Sequence, residues 1–266
     1  MTTTPPCAEE PARHDAAADL PPHPTLILPD WPAPTRVGAF VTTRETGPSQ
    51  GPFAAFNTAL HVGDDPAMVE RCRELLRAQL DDDRPLLWLD QMHGAAVQQA
   101  YDPDVPQADA AVADDKRYAC VIQTADCLPV FFCDRLGTKV GLAHAGWRSL
   151  AGGVLEATVA ALDIPPEELL VWLGPAISNA QFEVGLEVFE AFAAVQPEAA
   201  SAFEPSPYRL DHYMADIYRL ARLRLERLGI YQVSGGHFCT ACEPRFYSHR
   251  RDDGQTGRMA SVIWLR

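Results

Sequence analysis

The sequence predicts one mixed α/β (α+β) domain whose sheets are covered by helices, and three observations carry that prediction. The spacing of apolar residues is helical near residue 68, strand-like between residues 86 and 143, and helical again beyond 149. Hydrophobic residues make up 47% of 266, enough to bury a substantial core. Beyond a Pro/Ala-rich opening, no repeat or linker interrupts the chain, so one body is expected over 25–266.

Taken in order, the elements are justified as follows. Nine of the 23 prolines lie in the first 34 residues, mixed with Ala, Asp, Glu and Thr, so residues 1–24 are expected to form a disordered tail. A short strand is expected near Thr25. A second covers Val37 to Thr43 and runs into a loop broken by Gly47, Gly51 and prolines. Asp65 before Pro66 is a helix start, with Asp as N-cap and Pro at the first helical position. Met68, Cys72, Leu75, Leu76 and Gln79 then follow at helical spacing and give that helix one apolar face. Runs rich in Val, Ile, Leu, Phe and Ala at 86–89, 95–99, 119–123, 129–133 and 139–143 read as strands. Helices are expected at 149–162, 185–195 and 213–228, and a final strand at Met259 to Leu265.

Charge and cysteine usage exclude several classes. Lys and Arg number 22 against 36 Asp and Glu, a formal charge of −14 with no basic stretch, which argues against a nucleic-acid partner. No apolar run is long enough to span a bilayer, and the start has neither the basic nor the apolar segment of a secretory signal. Seven widely spaced cysteines are not a disulfide scaffold; they read as mostly reduced, in a cytoplasmic protein.

The most informative stretch runs from Thr124 to Arg148. Two apolar strands flank Asp134-Arg135-Leu136-Gly137, a tight turn with Gly at its end. If Asp134 faces Gly137, Cys127 falls directly opposite His144, about 5 Å away at Cβ. A one-residue slip would separate them onto opposite faces. His93, in the loop Gln91-Met92-His93-Gly94, is a third candidate. One Cys and two His suit zinc, or copper as the alternative ion, and three ligands leave a fourth position open. Cys127 as a nucleophile with His144 as its base uses the same adjacency, and a buried apolar Cys127 with His93 as an ordinary loop residue is the plainer reading. Cys239-Thr240-Ala241-Cys242 has no second C-x-x-C partner, so it reads as ordinary thiols, with a redox pair as the other option.

Cationic groups recur near these segments. Arg148 precedes a helix start, where free N–H groups and a guanidinium can hold an anion. Arg250, Arg251 and Arg258 crowd a polar loop before the last strand, and Arg44 ends an early one. If these loops converge, an acidic protein acquires a local positive pocket. For any one of them a solvated turn or a carboxylate partner is the simpler account.

Taken together, the segments resemble the YfiH-type laccase-domain (polyphenol-oxidase-like) family. The matching blocks are Thr42 to Arg44, Phe56-Asn57 and His61 to Asp65, then Gln91 to Gly94, Ala108 to Ala110 and Thr124 to Pro129. They continue with His144 to Arg148, Leu173 to Ile177, Phe182 to Gly185 and Ser248 to Ala260, spanning about residues 36–266. The resemblance implies a single-domain layered sandwich with mixed sheets flanked by helices, and a zinc held by His93, Cys127 and His144. It implies a purine nucleoside phosphorylase that also deaminates adenosine and cleaves methylthioadenosine, working as a monomer or small homo-oligomer on purine nucleoside and phosphate. Arg44, Asp109, Asp126 and Arg148 are then the expected catalytic residues, with Asp109 or Asp126 as proton shuttle. Asn57, His61, Arg148, Arg250 and Arg258 are the expected substrate contacts. Met92, Ser149 and His249 depart from the family pattern.

Multicopper oxidation does not fit the residues: it needs about ten His, many as His-x-His pairs, and this chain has eight His and no such pair. The H-x-E…P-C-x-x-C pattern of the nucleobase deaminases is absent as well. A cysteine-type hydrolase or amidase acting on a cell-wall precursor, and a non-catalytic metal-binding protein, are the alternatives.

Overall fold

A computed structural model describes residues 23–100 and 106–266. All but two residues of the expected tail lie outside that range. The chain order is β1 (Leu26–Ile27), β2 (Val37–Thr42), α1 (Pro66–Arg77), β3 (Leu86–Leu87), β4 (Val97–Gln99), β5 (Ala110–Ala113), β6 (Ala119–Thr124), β7 (Leu128–Asp134) and β8 (Val140–Ala145). It continues with α2 (Trp147–Ala151), α3 (Val154–Leu162), β9 (Leu169–Leu173), β10 (Glu183–Gly185), α4 (Leu186–Ala193), β11 (Phe203–Pro205), β12 (His212–Ala215), α5 (Ile217–Arg227), β13 (Val233–Gly235) and β14 (Met259–Leu265).

Two large mixed sheets stack face to face. One has the order β1-β2-β14-β6-β3, the other β13-β9-β7-β8-β5-β4, and β10-β12-β11 form a small third sheet. In the large sheets the edge pairs β3–β6, β4–β5 and β9–β13 are parallel and the rest antiparallel. Alternation sorts the side chains into layers. Phe131, Cys133, Val140, Leu142 and Trp172 meet Val41, Ile122, Met259 and Ile263 between the sheets. Val130, Phe132, Ala143 and Val171 point the other way, under Leu155, Phe192, Leu220 and Ala221 of the α2–α5 side. Phe40, Val121, Val262 and Trp264 cover the opposite outer face with Cys72 and Leu76 of α1. The result is the helix–sheet–sheet–helix sandwich that the resemblance implies. With both faces covered, β7, β8, β9 and β14 are buried throughout and mostly apolar rather than alternating.

Three expectations need correcting. The helix expected over 149–162 is broken at Gly152-Gly153, where Gly153 takes φ 90° and α3 starts afresh. The helix expected from 213 begins at Ile217, because Asp216 caps it by accepting from Arg219 N at 2.9 Å, and the residues before it pair as β12. β5 and β9 were not expected as strands. β5 is Ala-Ala-Val-Ala, with little intrinsic strand preference, and is held by pairing on both sides. Among the described residues, no helix is long and apolar enough to cross a membrane.

Candidate metal centre and the cavity beside it

The β7–β8 hairpin sets the geometry, in a register two residues away from the expected one. Pro129, not Cys127, faces His144, and Cys133 faces Val140. The Asp134–Gly137 turn does form, with Gly137 N donating to Asp134 O at 3.0 Å, but it lies inside a wider loop closed by Asp134 N donating to Lys139 O at 3.2 Å. Asp134 holds that loop, its carboxylate accepting from Thr138 N at 2.6 Å, Thr138 Oγ1 at 2.9 Å and Lys139 N at 2.8 Å. A shift of two leaves parity unchanged. His144 and Cys127 therefore both continue the rows that face the second sheet, at the open end of the sandwich. Asp126, at φ 86°, bends the chain just before Cys127.

His93 arrives from the loop between β3 and β4, itself at φ 58°. Its Nε2 lies 3.8 Å from Cys127 Sγ, and its ring meets that of His144 edge to face at 4.7 Å. The donor atoms of His93, Cys127 and His144 all fall within 4.8 Å of one another, the one such group of three among the described residues.

Asp109, on the turn into β5, holds the cluster together. Its Oδ1 accepts from His144 Nδ1 at 2.8 Å and His93 N at 2.9 Å, and its Oδ2 from Gly94 N at 2.6 Å and Met92 N at 3.2 Å. Burial opposes the charge on Asp109, but His144 and these N–H groups outweigh it and hold the carboxyl below the usual range. The bond to Nδ1 fixes the His144 tautomer and leaves Nε2 as its free donor atom. Burial likewise opposes the Cys127 thiolate, yet the nearby His144 charge and hydrogen bonds from both imidazoles bring its pKa down to about 6. His144 is correspondingly raised to about 9, against its own burial, chiefly by the Cys127 charge. Cys133, six residues further on and within β7, is pushed up by burial to about 12.

Gly146 completes the seat by what it lacks. A Cβ there would stand 2.9 Å from Cys127 Sγ and 3.1 Å from His93 Cδ2. Sequence reasoning assigned Gly146 no such role; only the packing reveals it. The donor set fits a tetrahedral soft-to-borderline ion: one thiolate and two oriented imidazoles, with a Cys–His separation close to the roughly 3.5 Å that two ligands of one zinc require.

A cavity of about 510 Å³ opens beside these donors. Arg148, Arg250 and Arg258 all line it, as do His61, His249 and the carboxylates Asp90 and Asp126, so three of the five expected cationic groups converge here while Arg44 and Arg251 do not. The Arg148 guanidinium lies 4.3 Å above the Trp147 ring and makes no hydrogen bond or ion pair with a described residue. Arg250 is anchored to Gln181 O and Glu183 O, both at 3.0 Å. Arg258 is anchored to Thr256 O at 2.9 Å and Gly257 O at 3.0 Å. Burial, then the Arg258 charge, lowers the pKa of His61 and keeps it neutral at pH 7. Trp147, Ile177 and Phe182 add an apolar wall that sequence reasoning left without a role.

Three expected site residues do not line the cavity. Arg44 donates to Ala54 O at 2.8 Å, pairs with Asp252 at 3.4 Å and covers the Tyr247 ring, bracing the loop after β2. Asn57 is fully buried, bonded to Ala59, Asp64 and the backbone N of Arg258. Asp109 sits behind the cluster. Asp126 does line the cavity, but its oxygens accept from Thr240 Oγ1 at 2.6 Å and Arg250 N at 2.7 Å.

Fold and site together define a layered α+β protein with a His-Cys-His centre at the open end of its sandwich. The chain belongs to the family described as multi-copper polyphenol oxidoreductase laccase, whose model matches residues 38–266. It is 55% identical over 241 residues to a purine nucleoside phosphorylase of Pseudomonas aeruginosa, covering 90% of this chain and 98% of that one. It is 47% identical to purine nucleoside phosphorylase YfiH of Escherichia coli, with the same coverage. A Neisseria meningitidis crystal structure matches with TM-score 0.86 at 50% identity, covering 90% and 98% of the two chains. YlmD of Geobacillus stearothermophilus matches with TM-score 0.80 at 32% identity, covering 87% and 93%.

Proposed function

We propose that this protein is a zinc-dependent purine nucleoside phosphorylase that cleaves adenosine or inosine with inorganic phosphate. The observation that carries the reading is the convergence of three guanidinium groups and the His-Cys-His donors on one cavity with an apolar wall. The names of the close relatives support it.

Among the described residues Arg148 has no carboxylate partner to displace, so its guanidinium is the first seat for phosphate. Arg250 and Arg258 are already fixed by backbone carbonyls and contribute charge with little ordering cost. Phe182 and Ile177 offer the purine an apolar surface, and neutral His61 adds a hydrogen-bonding group without further charge. Phosphate oxygen then attacks the anomeric carbon as the bond to the base breaks. A zinc ion held by His93, Cys127 and His144 would supply a Lewis acid with one position open to the cavity. Asp109 and Asp126 serve here as positioning residues, since their oxygens are engaged; Asp109 orients two ligands and Asp126 orients Arg250.

Cys127, His144 and Asp109 also form a thiolate–imidazole–carboxylate relay, which favours a cysteine-type hydrolase as the second reading. Metal content decides between them. Wild-type protein and Cys127→Ala are analysed by metal mass spectrometry and incubated with adenosine, inosine or methylthioadenosine plus phosphate, following free base, sugar phosphate and ammonia. About one zinc per chain is expected. Its loss in the variant should accompany a fall in phosphorolysis of at least about 10³-fold, some 4 kcal/mol of barrier. Ammonia release reports the deaminase activity separately. Metal-free active protein, or zinc without nucleoside turnover, overturns the proposal.

A further inference from the structure

We infer that Cys239 and Cys242 form a thiol–disulfide exchange site that takes a low-molecular-weight disulfide. Both cysteines are free, Cys239 half-buried and Cys242 exposed. Cys242 N donates to Cys239 O at 3.1 Å, a four-residue turn that holds the two Cα atoms within about 7 Å. Disulfides join Cα atoms about 4.4–6.8 Å apart, so the turn brings the pair to the reach of one. Cys242 N also donates to Cys239 Sγ at 3.2 Å, so the backbone of one cysteine already meets the sulfur of the other.

The turn is braced on both sides, so it is organised before any oxidant arrives. Glu243 Oε1 accepts from Cys239 N at 2.9 Å, and Arg245 holds the other oxygen at 2.6 Å. Thr240, between the cysteines, donates to Asp126 at 2.6 Å, and its N bonds Ala176 O at 3.0 Å. The asymmetry identifies the attacking sulfur. Burial raises the Cys239 thiol, but hydrogen bonds from Cys242 and Ser178 outweigh this and lower it. Cys242 is pushed up to about 11, chiefly by its bond to Cys239. Cys72, Cys120 and Cys133 are buried and raised, and among the described residues none has a neighbouring thiol in hydrogen-bond contact.

The chemistry balances as two exchanges. Cys239 thiolate attacks one sulfur of the small disulfide and expels a small thiolate. Cys242, giving up its proton, attacks Cys239 Sγ of the mixed disulfide and expels the second. Two protein thiols and one disulfide become one protein disulfide and two small thiols, which carry off both protons, and two electrons pass to the oxidant.

The test exposes the full-length protein, as purified, to oxidised glutathione at neutral pH, alkylates the remaining thiols and maps the peptides. The expected result is loss of two hydrogens within the 239–242 peptide, with neither cysteine there alkylated, and recovery of both on adding dithiothreitol. Cys242→Ser should accumulate a glutathione adduct on Cys239, and Cys239→Ser should react at Cys242 at least about tenfold more slowly. Protein modified in denaturant confirms that the oxidant is competent. Full alkylation of both cysteines after native exposure, or equal rates in the two variants, overturns the inference.

Discussion

The two ends of the β7–β8 hairpin meet the same physical problem and turn it to different ends. At the turn, the buried carboxylate of Asp134 gathers donors no more than five residues away. At the open end, the buried carboxylate of Asp109 gathers donors from as far as 35 residues away. In both, burial opposes the charge and hydrogen bonds more than offset it. The partners make the difference. Those of Asp134 only close a loop, whereas two of those of Asp109 belong to the histidines of the candidate metal centre. A buried, well-bonded carboxylate is therefore not a functional signal until its partners are followed outward.

Substitutions can break or sharpen that contrast. Asp109→Asn has the largest expected effect, since an amide turns one N–H toward groups that already donate. Zinc affinity should fall about 10- to 100-fold, read by competition with a chelator; unchanged affinity would erase the distinction between the two ends. Arg148→Ala should raise the KM for phosphate by about ten- to a hundredfold, the loss of a charge-assisted contact, while zinc content stays the same. Gly146→Ala puts a methyl 2.9 Å from Cys127 Sγ, and should cost about 1–3 kcal/mol through overpacking, with zinc affinity falling alongside stability. The smallest effect is expected at the turn, where Asp134→Asn should lower stability by about 1 kcal/mol and leave zinc and turnover intact.

That last variant also carries a pH signature. The folded-state pKa of Asp134 lies below its ordinary 3.8, because bonds from Lys139 and Thr138 outweigh burial. Its contribution is complete above 3.8 and disappears as pH falls through the folded value. The stability gap between wild type and Asp134→Asn in denaturant titrations should therefore narrow on acidification. A gap that widens would contradict the assignment.

Much of this was legible in the sequence, for reasons that differ by residue. The α1 start follows from Asp65-Pro66 because capping is local, and β14 follows from an unbroken apolar run. The His93–Cys127–His144 grouping survived a register error of two because parity alone decides which face a residue occupies. The error arose because Asp134 bonds to Thr138 and Lys139, beyond the four residues that a turn pattern reads. β5 was invisible because its alanines are held by neighbouring strands rather than by preference. Arg44 and Asn57 were expected in the site, and their side chains instead brace the loops behind it. A motif records that a residue belongs to a neighbourhood, not which way it points.

The centre of the five-stranded sheet is a seam between segments remote in sequence: β2 pairs with β14 across about 220 residues. Closing so long a loop is slow compared with zipping the β7–β8 hairpin, whose strands are neighbours. Cys127 and His144 are brought together by that local hairpin, while Arg258 stands at the threshold of β14 and takes its place only with the distant seam. Topology therefore gives the cavity residues different birthdays: Cys127 and His144, with Arg148 four residues further on, can gather before Arg258 has a wall to stand in.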